Sequence, residues 1–235
     1  MNYFSVAGKH HNYDSKSNQD AVLFKNNDEY CAMVLADGVS SCEYSKTGAE
    51  ITCKSVAEFL LDHAERLFSM NEHETAQSLV GHILYSIKKT AGKNGNRIEE
   101  YSSTLACVLF DRNKNRMLYC SIGDSLITAI KGDNCYIVAM PSDSRNGCCV
   151  TTTCNAASKA KVGIIDTKDV ATIMICSDGA WNLMYRRNRM QHTIKEMIIE
   201  HKYEQLKETL LGKERFDDCS FITMDLEELL RRKTA

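Results

Sequence analysis

The order of strand-like and helix-like segments constrains the fold of this 235-residue chain. A buried strand is predicted at residues 30–36, and apolar residues at helical spacing follow through 43–70 and 76–90. Alternating patterns between residues 104 and 138 predict a meander of antiparallel strands. A further strand, two helices and a last strand are predicted at 170–176, 189–200, 203–211 and 220–224. Strands and helices grouped in this way indicate an α+β fold.

Composition is typical of a globular domain. Hydrophobic residues make up 43% of the chain and charged residues 26%. The 29 basic and 31 acidic side chains are mixed along the sequence, which argues against a nucleic-acid-binding protein. No apolar run approaches the roughly 18 residues of a membrane span, and no secretory signal is recognisable. We therefore expect a single cytoplasmic domain over residues 1–235, with its eleven cysteines reduced.

Aspartate recurs in five short motifs along the chain. Three of the motifs directly follow an apolar run rich in β-branched residues, so their carboxylates should project from strand ends toward one place. Such carboxylates are the oxygen ligands that Mg²⁺ and Mn²⁺ prefer, although an isolated Asp-Gly pair is more often a turn. The motifs are Ser17-Asn18-Gln19-Asp20, Asp37-Gly38, Gly123-Asp124-Ser125, Ser177-Asp178-Gly179 and Asp217-Asp218-Cys219-Ser220.

In this order the motifs resemble those of the metal-dependent phosphatases of the protein phosphatase 2C family. Asp20 is similar to the acidic residue of the family's first motif, and Asp37-Gly38 resembles its metal-bridging Asp-Gly pair. Ser103-Thr104-Leu105 resembles the family's central Thr-containing strand. The correspondence runs from about residue 1 to about residue 225, and the motif spellings are similar to those of bacterial stand-alone members.

The resemblance implies a four-layer α-β-β-α sandwich, in which two mostly antiparallel sheets are flanked by helix pairs. It implies two Mn²⁺ or Mg²⁺ ions in a cleft at one end of the sandwich. A water bridging the two ions would hydrolyse phosphoserine or phosphothreonine in proteins. Residues 142–166 would form a variable flap beside the cleft, and their polar composition predicts a mobile segment.

The resemblance also assigns roles to single residues. Asp37 would bridge the ions, with the Gly38 carbonyl as an additional ligand. Asp178 and Asp218 would hold one ion, and Asp20 would act largely through coordinated water. Asp37, Asp178 and Asp218 are thus the expected catalytic residues.

A weak third ion site is left open by the sequence. Asp124 is similar to an aspartate of the family's third site, but Gly-Asp-Ser is equally a tight turn. Asn182 stands four positions after Asp178, where the resemblance leads us to expect another acidic ligand of that site. A third ion would therefore bind weakly or not at all.

Two further departures concern substrate handling. Ser15 occupies the position where many family members carry a phosphate-clamping arginine, so His11 or Lys16 would have to contact the substrate phosphate instead. Val39 replaces a histidine that follows the Asp-Gly pair in many eukaryotic members. These departures keep two alternatives open: a non-catalytic module that binds phosphoproteins, and a phosphate monoesterase for small molecules. The expected partners are a phosphorylated protein substrate and a cognate kinase or its targets.

Two local clusters have no place in this scheme. Cys148, Cys149 and Cys154 lack the paired knuckles and nearby histidine of a zinc site, although zinc is not ruled out by sequence. Arg186-Arg187-Asn188-Arg189 is the densest internal basic run. It is either a solvated surface or a docking site for an acidic or phosphorylated partner.

Overall fold

The computed structural model describes residues 1–8, 17–142, 149–187 and 189–231. Three residues discussed for phosphate binding, Ser15, His11 and Lys16, lie outside the described residues, as does Cys148.

Two five-stranded sheets form the centre of the molecule, and all neighbouring strands within them are antiparallel. The first sheet has the order β2 (Asp20–Asn26), β3 (Tyr30–Asp37), β4 (Leu105–Asp111), β5 (Arg116–Ile122) and β8 (Lys161–Asp166). The second has the order β1 (Asn2–Val6), β12 (Cys219–Asp225), β9 (Thr172–Cys176), β6 (Leu126–Lys131) and β7 (Asn134–Ala139). A separate hairpin consists of β10 (Tyr185–Arg186) and β11 (Arg189–Met190).

Helices cover the outer faces of both sheets. Those on the first sheet are α1 (Ser45–Asp62), α2 (Ala64–Leu67), α3 (Glu72–Asn94) and α4 (Ala156–Lys159). Those on the second sheet are α5 (Asp178–Met184), α6 (His192–Ile199) and α7 (Tyr203–Leu211). A short last helix, α8 (Leu226–Arg231), follows β12 and packs into the core between the sheets. No helix in the described part of the chain is long and apolar enough to cross a membrane.

Strand β3 shows why the layers form. Its alternate residues Ala32, Val34 and Ala36 pack against the helices of the first sheet, whereas Met33 and Leu35 pack against the second sheet. Side chains alternate between the two faces of a strand, so a strand buried on both faces must be apolar throughout. The same division runs through β4, and the result is the four-layer α-β-β-α sandwich that the family resemblance implied.

Some boundaries differ from the predictions. The helix expected at 43–70 ends at Asp62, and α2 follows after His63. The helix expected at 189–200 begins only at His192, because residues 189–190 pair as β11. The segment predicted at 142–166 as a flap ends in a strand: residues 161–166 are β8, paired with β5 over six positions.

Candidate active site

Strand register brings two of the aspartates together at one end of the first sheet. Asp20 opens β2 and Asp37 closes β3, and the two residues are direct cross-strand partners. The Asp37 N–H donates to Thr104 Oγ1 at 2.9 Å, and the Thr104 N–H donates to the Asp37 carbonyl at 2.8 Å. The Gly38 N–H donates to the Gln19 carbonyl at 3.2 Å. The backbone on both sides of Asp37 is therefore fixed by hydrogen bonds.

The second sheet presents its aspartates at the same end of the sandwich. Asp178 follows β9 and opens α5, and Asp217 and Asp218 precede the neighbouring strand β12. A Cβ at Gly179 would lie 2.1 Å from the Asp218 carbonyl oxygen, so only glycine permits this approach of the two segments. Asp124 joins them through its carbonyl, which accepts a 2.9 Å hydrogen bond from Trp181 Nε1.

Asp20 is a buried carboxylate of this cluster. Neither of its side-chain oxygens receives a hydrogen bond from the described residues. Burial, together with the charges of Asp218 and Asp178, raises the pKa of Asp20 from 3.8 to about 7. The hydroxyls of Ser220 and Ser177 lie near Asp20 and partly oppose this rise in its pKa. Their hydrogen bonds, however, go to Ser5 Oγ and to the backbone carbonyls of Asp218 and Ser220. A buried carboxylate without donors is costly unless a cation approaches it.

Asp37 and Asp178 are also shifted. Burial raises the pKa of Asp37 well above 3.8, and the charges of Asp20, Asp178, Asp217 and Asp124 act in the same direction. Burial raises the pKa of Asp178 to about 7, with additional contributions from Asp217 and Asp124. These five aspartates therefore form one cluster whose charges repel one another.

This set of side chains fits divalent cations such as Mg²⁺ or Mn²⁺. All its donors are carboxylate oxygens, which these ions prefer, and the cations would relieve the mutual repulsion. The carboxylates are near one another without closing around an ion: among the described residues, no three His, Cys, Asp or Glu side chains are grouped as a metal site. Small side-chain rotations would be needed on binding.

The sequence profile named protein phosphatase 2C matches residues 7–212, which is most of the chain. The chain belongs to the protein phosphatase 2C family. No curated protein matches it significantly.

Solved phosphatase structures share the fold. Serine/threonine phosphatase Stp1 from Staphylococcus aureus is 17% identical, with 95% of this chain and 93% of that chain covered and a TM-score of 0.71. A bacterial serine phosphatase is 17% identical, with 96% of each chain covered and a TM-score of 0.70. The catalytic domain of PstP, solved in complex with 2 manganese ions, is 16% identical, with 95% of this chain and 96% of that chain covered and a TM-score of 0.70. At these identities, the likeness establishes the fold.

Asp217 and Asp218 of this phosphatase-family chain have different surroundings. Both Asp218 oxygens accept backbone N–H groups, from Gly8 at 2.9 Å and from Gln19 at 2.6 Å. Asp217 is exposed, and its charge raises the pKa of both Asp37 and Asp178. The structure therefore makes Asp217, which sequence analysis did not assign as a ligand, the stronger candidate at this position.

Several departures from the family pattern can be located in the structure. Val39 follows the Asp-Gly pair and donates its N–H to the Ser102 carbonyl at 3.0 Å. Asn182 is exposed on α5. Cys149 is buried whereas Cys154 is exposed, and no zinc-like cluster occurs within the described ranges.

We expect the metal-free protein to become less stable as the pH rises. Because the pKa of Asp20 is raised from 3.8 to about 7 in the folded state, the folded state binds this proton more tightly than the unfolded state. The resulting penalty is absent below pH 3.8, grows toward pH 7 and is complete above it. Asp20→Asn should therefore raise the melting temperature at pH 8 in EDTA, by about 2–4 °C for each kcal/mol of relief, but much less at pH 4.

Thermal melts at both pH values, with and without Mn²⁺, check this expectation. The matched control is Asp28→Asn at an exposed turn, which should leave the melting temperature within about 1 °C, as surface substitutions usually do. A lower melting temperature for Asp20→Asn at pH 8 in EDTA would contradict the electrostatic account of the cluster.

Proposed function

We propose that this protein hydrolyses phosphoserine or phosphothreonine in phosphoproteins, using two Mn²⁺ or Mg²⁺ ions held by the carboxylate cluster. Membership of the protein phosphatase 2C family supports the reaction class. The observation that carries the proposal is the buried Asp20 carboxylate, which lacks hydrogen bonds among the described residues and faces further aspartates. Such a cluster serves no evident structural purpose without cations.

Asp37 and the Gly38 carbonyl are proposed as ligands of the two ions. Asp37 is the cross-strand partner of Asp20, and the charges of Asp178 and Asp217 raise its pKa. Its position between these carboxylates suits a bridging ligand. The Gly38 carbonyl would add a further ligand. A Cβ at this glycine would lie 2.8 Å from the Ser45 backbone, so the close approach excludes other residues.

The remaining aspartates would hold the ions and their waters. Asp178 and Asp217 are proposed as direct ligands of one ion, and Asp20 would act largely through coordinated water. Asp218 would position the Gly8 and Gln19 backbone through its two hydrogen bonds. Bound Mn²⁺ or Mg²⁺ would activate the attacking water and neutralise charge on the phosphoryl oxygens.

A weaker third ion is proposed at Asp124. Its charge acts on both Asp37 and Asp178, which supports a position at the rim of the cluster. Asn182 offers a neutral ligand instead of a second carboxylate, so this ion would exchange more readily than the other two. Contacts of His11 or Lys16 with the substrate phosphate remain part of the proposal and rest on sequence alone.

The expected partners are phosphoproteins produced by a cognate serine or threonine kinase. A cytoplasmic location is proposed as well. Its support is that the ten cysteines in the described ranges are all free thiols, as is usual in a reducing compartment.

Hydrolysis of p-nitrophenyl phosphate and of a phosphothreonine peptide tests the proposal. We expect turnover of both substrates with Mn²⁺ or Mg²⁺, loss of turnover in EDTA, and recovery when Mn²⁺ is restored, because the cluster offers only oxygen ligands. Small phosphorylated metabolites should react more slowly than the peptide.

Turnover that persists in EDTA would contradict the proposal. Two other outcomes would select the alternatives. A rise in melting temperature with Mn²⁺ but no hydrolysis of any substrate would indicate a phosphoprotein-binding module, which the absence of a histidine at Val39 favours. A preference for metabolites over the peptide would indicate a small-molecule phosphate monoesterase.

A further inference from the structure

Three exposed arginines crowd the hairpin that follows α5. Arg186 on β10 and Arg189 on β11 are direct cross-strand partners, so two like charges lie opposite each other in a hairpin of two residue pairs. Arg187 lies in the turn with a φ of 51°, a conformation that disfavours residues other than glycine and asparagine. Like charges directly opposite each other destabilise a strand pair. The hairpin therefore concentrates positive charge at the expense of its own stability.

Lys213 extends this positive surface from a second segment. Its Nζ donates to the Leu183 carbonyl at 2.7 Å, and Gln191 Nε2 donates to the same oxygen at 2.7 Å. This shared acceptor ties the 212–216 segment to the base of the hairpin. Burial and the charge of Arg186 lower the pKa of Lys213, which shows that the two cations are close.

We call Arg186, Arg187, Arg189 and Lys213 the basic hairpin surface. None of its four side chains forms an ion pair with an acidic residue in the described ranges. Glu214 adds one negative charge to the same segment, but the surface stays positive. Three exposed arginines and a half-buried lysine that lie close together without acidic partners are suited to bind an anionic ligand.

The basic hairpin surface is connected to the carboxylate cluster along two routes. Helix α5 begins at Asp178 and spans 7 residues before the hairpin, which is about 10 Å at 1.5 Å per residue. Lys213 precedes Asp217 by four residues in the sequence. An extended peptide advances about 3.3 Å per residue, so 10–15 Å corresponds to roughly three to five residues.

We propose that the basic hairpin surface binds acidic side chains located three to five residues from the phosphoserine or phosphothreonine of the substrate. This inference rests on the proposed function and adds substrate selectivity to it. The surface would select phosphoproteins with Asp or Glu on one side of the modified residue. Binding would be electrostatic, so it would weaken at high salt concentration.

Two phosphothreonine peptides test the proposal. One carries Glu at the three positions that lie three, four and five residues from the phosphothreonine, and the other carries Gln there. Each peptide is made in two versions, with these residues before or after the phosphothreonine. At 50 mM salt we expect kcat/KM to be about 5- to 10-fold higher for the Glu peptide in one orientation, from several exposed charge pairs. The preference should fall toward unity at 0.5 M salt.

The double variant Arg186→Gln/Arg189→Gln should reduce this ratio to about 2, because only Arg187 and the half-buried Lys213 remain to form weak charge pairs. The ratio for two peptides is independent of any general loss of activity in the variant. Lys88→Gln/Lys89→Gln, on the exposed face of α3, makes the same change in net charge and should retain the wild-type ratio. Circular dichroism confirms that each variant is folded.

Equal kcat/KM for the two peptides in wild type, or an undiminished preference in the hairpin variant, would overturn the proposal. Failure of the proposed function appears differently, as a lack of hydrolysis of every substrate including p-nitrophenyl phosphate. In that case the affinities of the labelled Glu and Gln peptides are compared by fluorescence anisotropy. Equal affinities would overturn the proposal that the basic hairpin surface binds acidic side chains. Binding to an oligonucleotide or an anionic vesicle without discrimination between the peptides would likewise contradict it.

Discussion

Asp37→Asn is expected to lower metal-dependent phosphatase activity by at least about 10²–10³-fold, the scale seen when a single charge-stabilising group is lost from an active site. Asp37 lies at the end of β3 opposite Asp20, and its charge couples to both Asp178 and Asp217. Asparagine keeps the shape of the side chain but removes the charge that would bind two cations. The measurement is kcat/KM for p-nitrophenyl phosphate and a phosphothreonine peptide across a range of Mn²⁺ concentrations.

Loss of activity in this variant should not arise from loss of the fold. One repelling charge has been removed, so the melting temperature in EDTA at pH 8 should equal or exceed that of the wild type. The stabilisation that Mn²⁺ gives to the wild type should largely disappear. An active Asp37→Asn variant, or one that loses activity only because it unfolds, would refute the bridging role.

Asp217→Asn and Asp218→Asn form the matched pair for this experiment. Asp217→Asn should resemble Asp37→Asn, because Asp217 is exposed near the same charges and, among the described residues, accepts only the adjacent N–H of Asp218. Asp218→Asn leaves a single carbonyl oxygen for the N–H groups of Gly8 and Gln19, so it should lose stability and retain more activity. The opposite pattern would restore Asp218 as the ligand.

Gly48→Ala is expected to destabilise the protein by about 3 kcal/mol, at the upper end of the range for overpacked sites. A Cβ at this position of α1 would lie 2.0 Å from the Tyr101 carbonyl oxygen. Tyr101 is fully buried and its ring stacks on Tyr44 at 5.1 Å, so the backbone there has little room to move. The melting temperature should fall by about 10 °C.

Gly81→Ala is the control for this substitution. Gly81 also lies within a helix, α3, but a Cβ there would meet nothing within 4 Å. Alanine should stabilise that helix by about 0.5–1 kcal/mol through its higher helix propensity. Chemical denaturation measures both variants, and similar stability changes in the two would show that propensity rather than contact dominates at Gly48.

The success of the strand predictions follows from burial. Strands β3, β4 and β9 are buried along almost their whole length, so their sequences are continuous apolar runs that stand out from the rest. Strand β8 was missed because it contains Gly163, which suggests a loop. A Cβ at Gly163 would lie 2.8 Å from Tyr119 Oη, so this glycine makes room for a ring on β5.

Sequence order could indicate that the aspartates converge, since motifs at strand ends meet at one edge of a sheet. It could not separate Asp217 from Asp218, because that difference depends on which carboxylate is taken up by the distant N–H of Gly8. The addition of Lys213 to the arginine hairpin was equally hidden. That contact depends on a carbonyl of α5, 30 residues earlier in the chain.

The pairing of β1 with β12 sets the order in which the cleft can be completed during synthesis. Residues 2–6 leave the ribosome more than 200 residues before their partners at 219–223. At about 5–20 residues per second, the first strand waits roughly 10–40 s for its neighbour. The nascent chain meanwhile carries Asp20 and Asp37 without Asp217, so a half-made molecule has only part of its acidic cluster. The proposed metal site is thereby completed only after Asp217 has been synthesised.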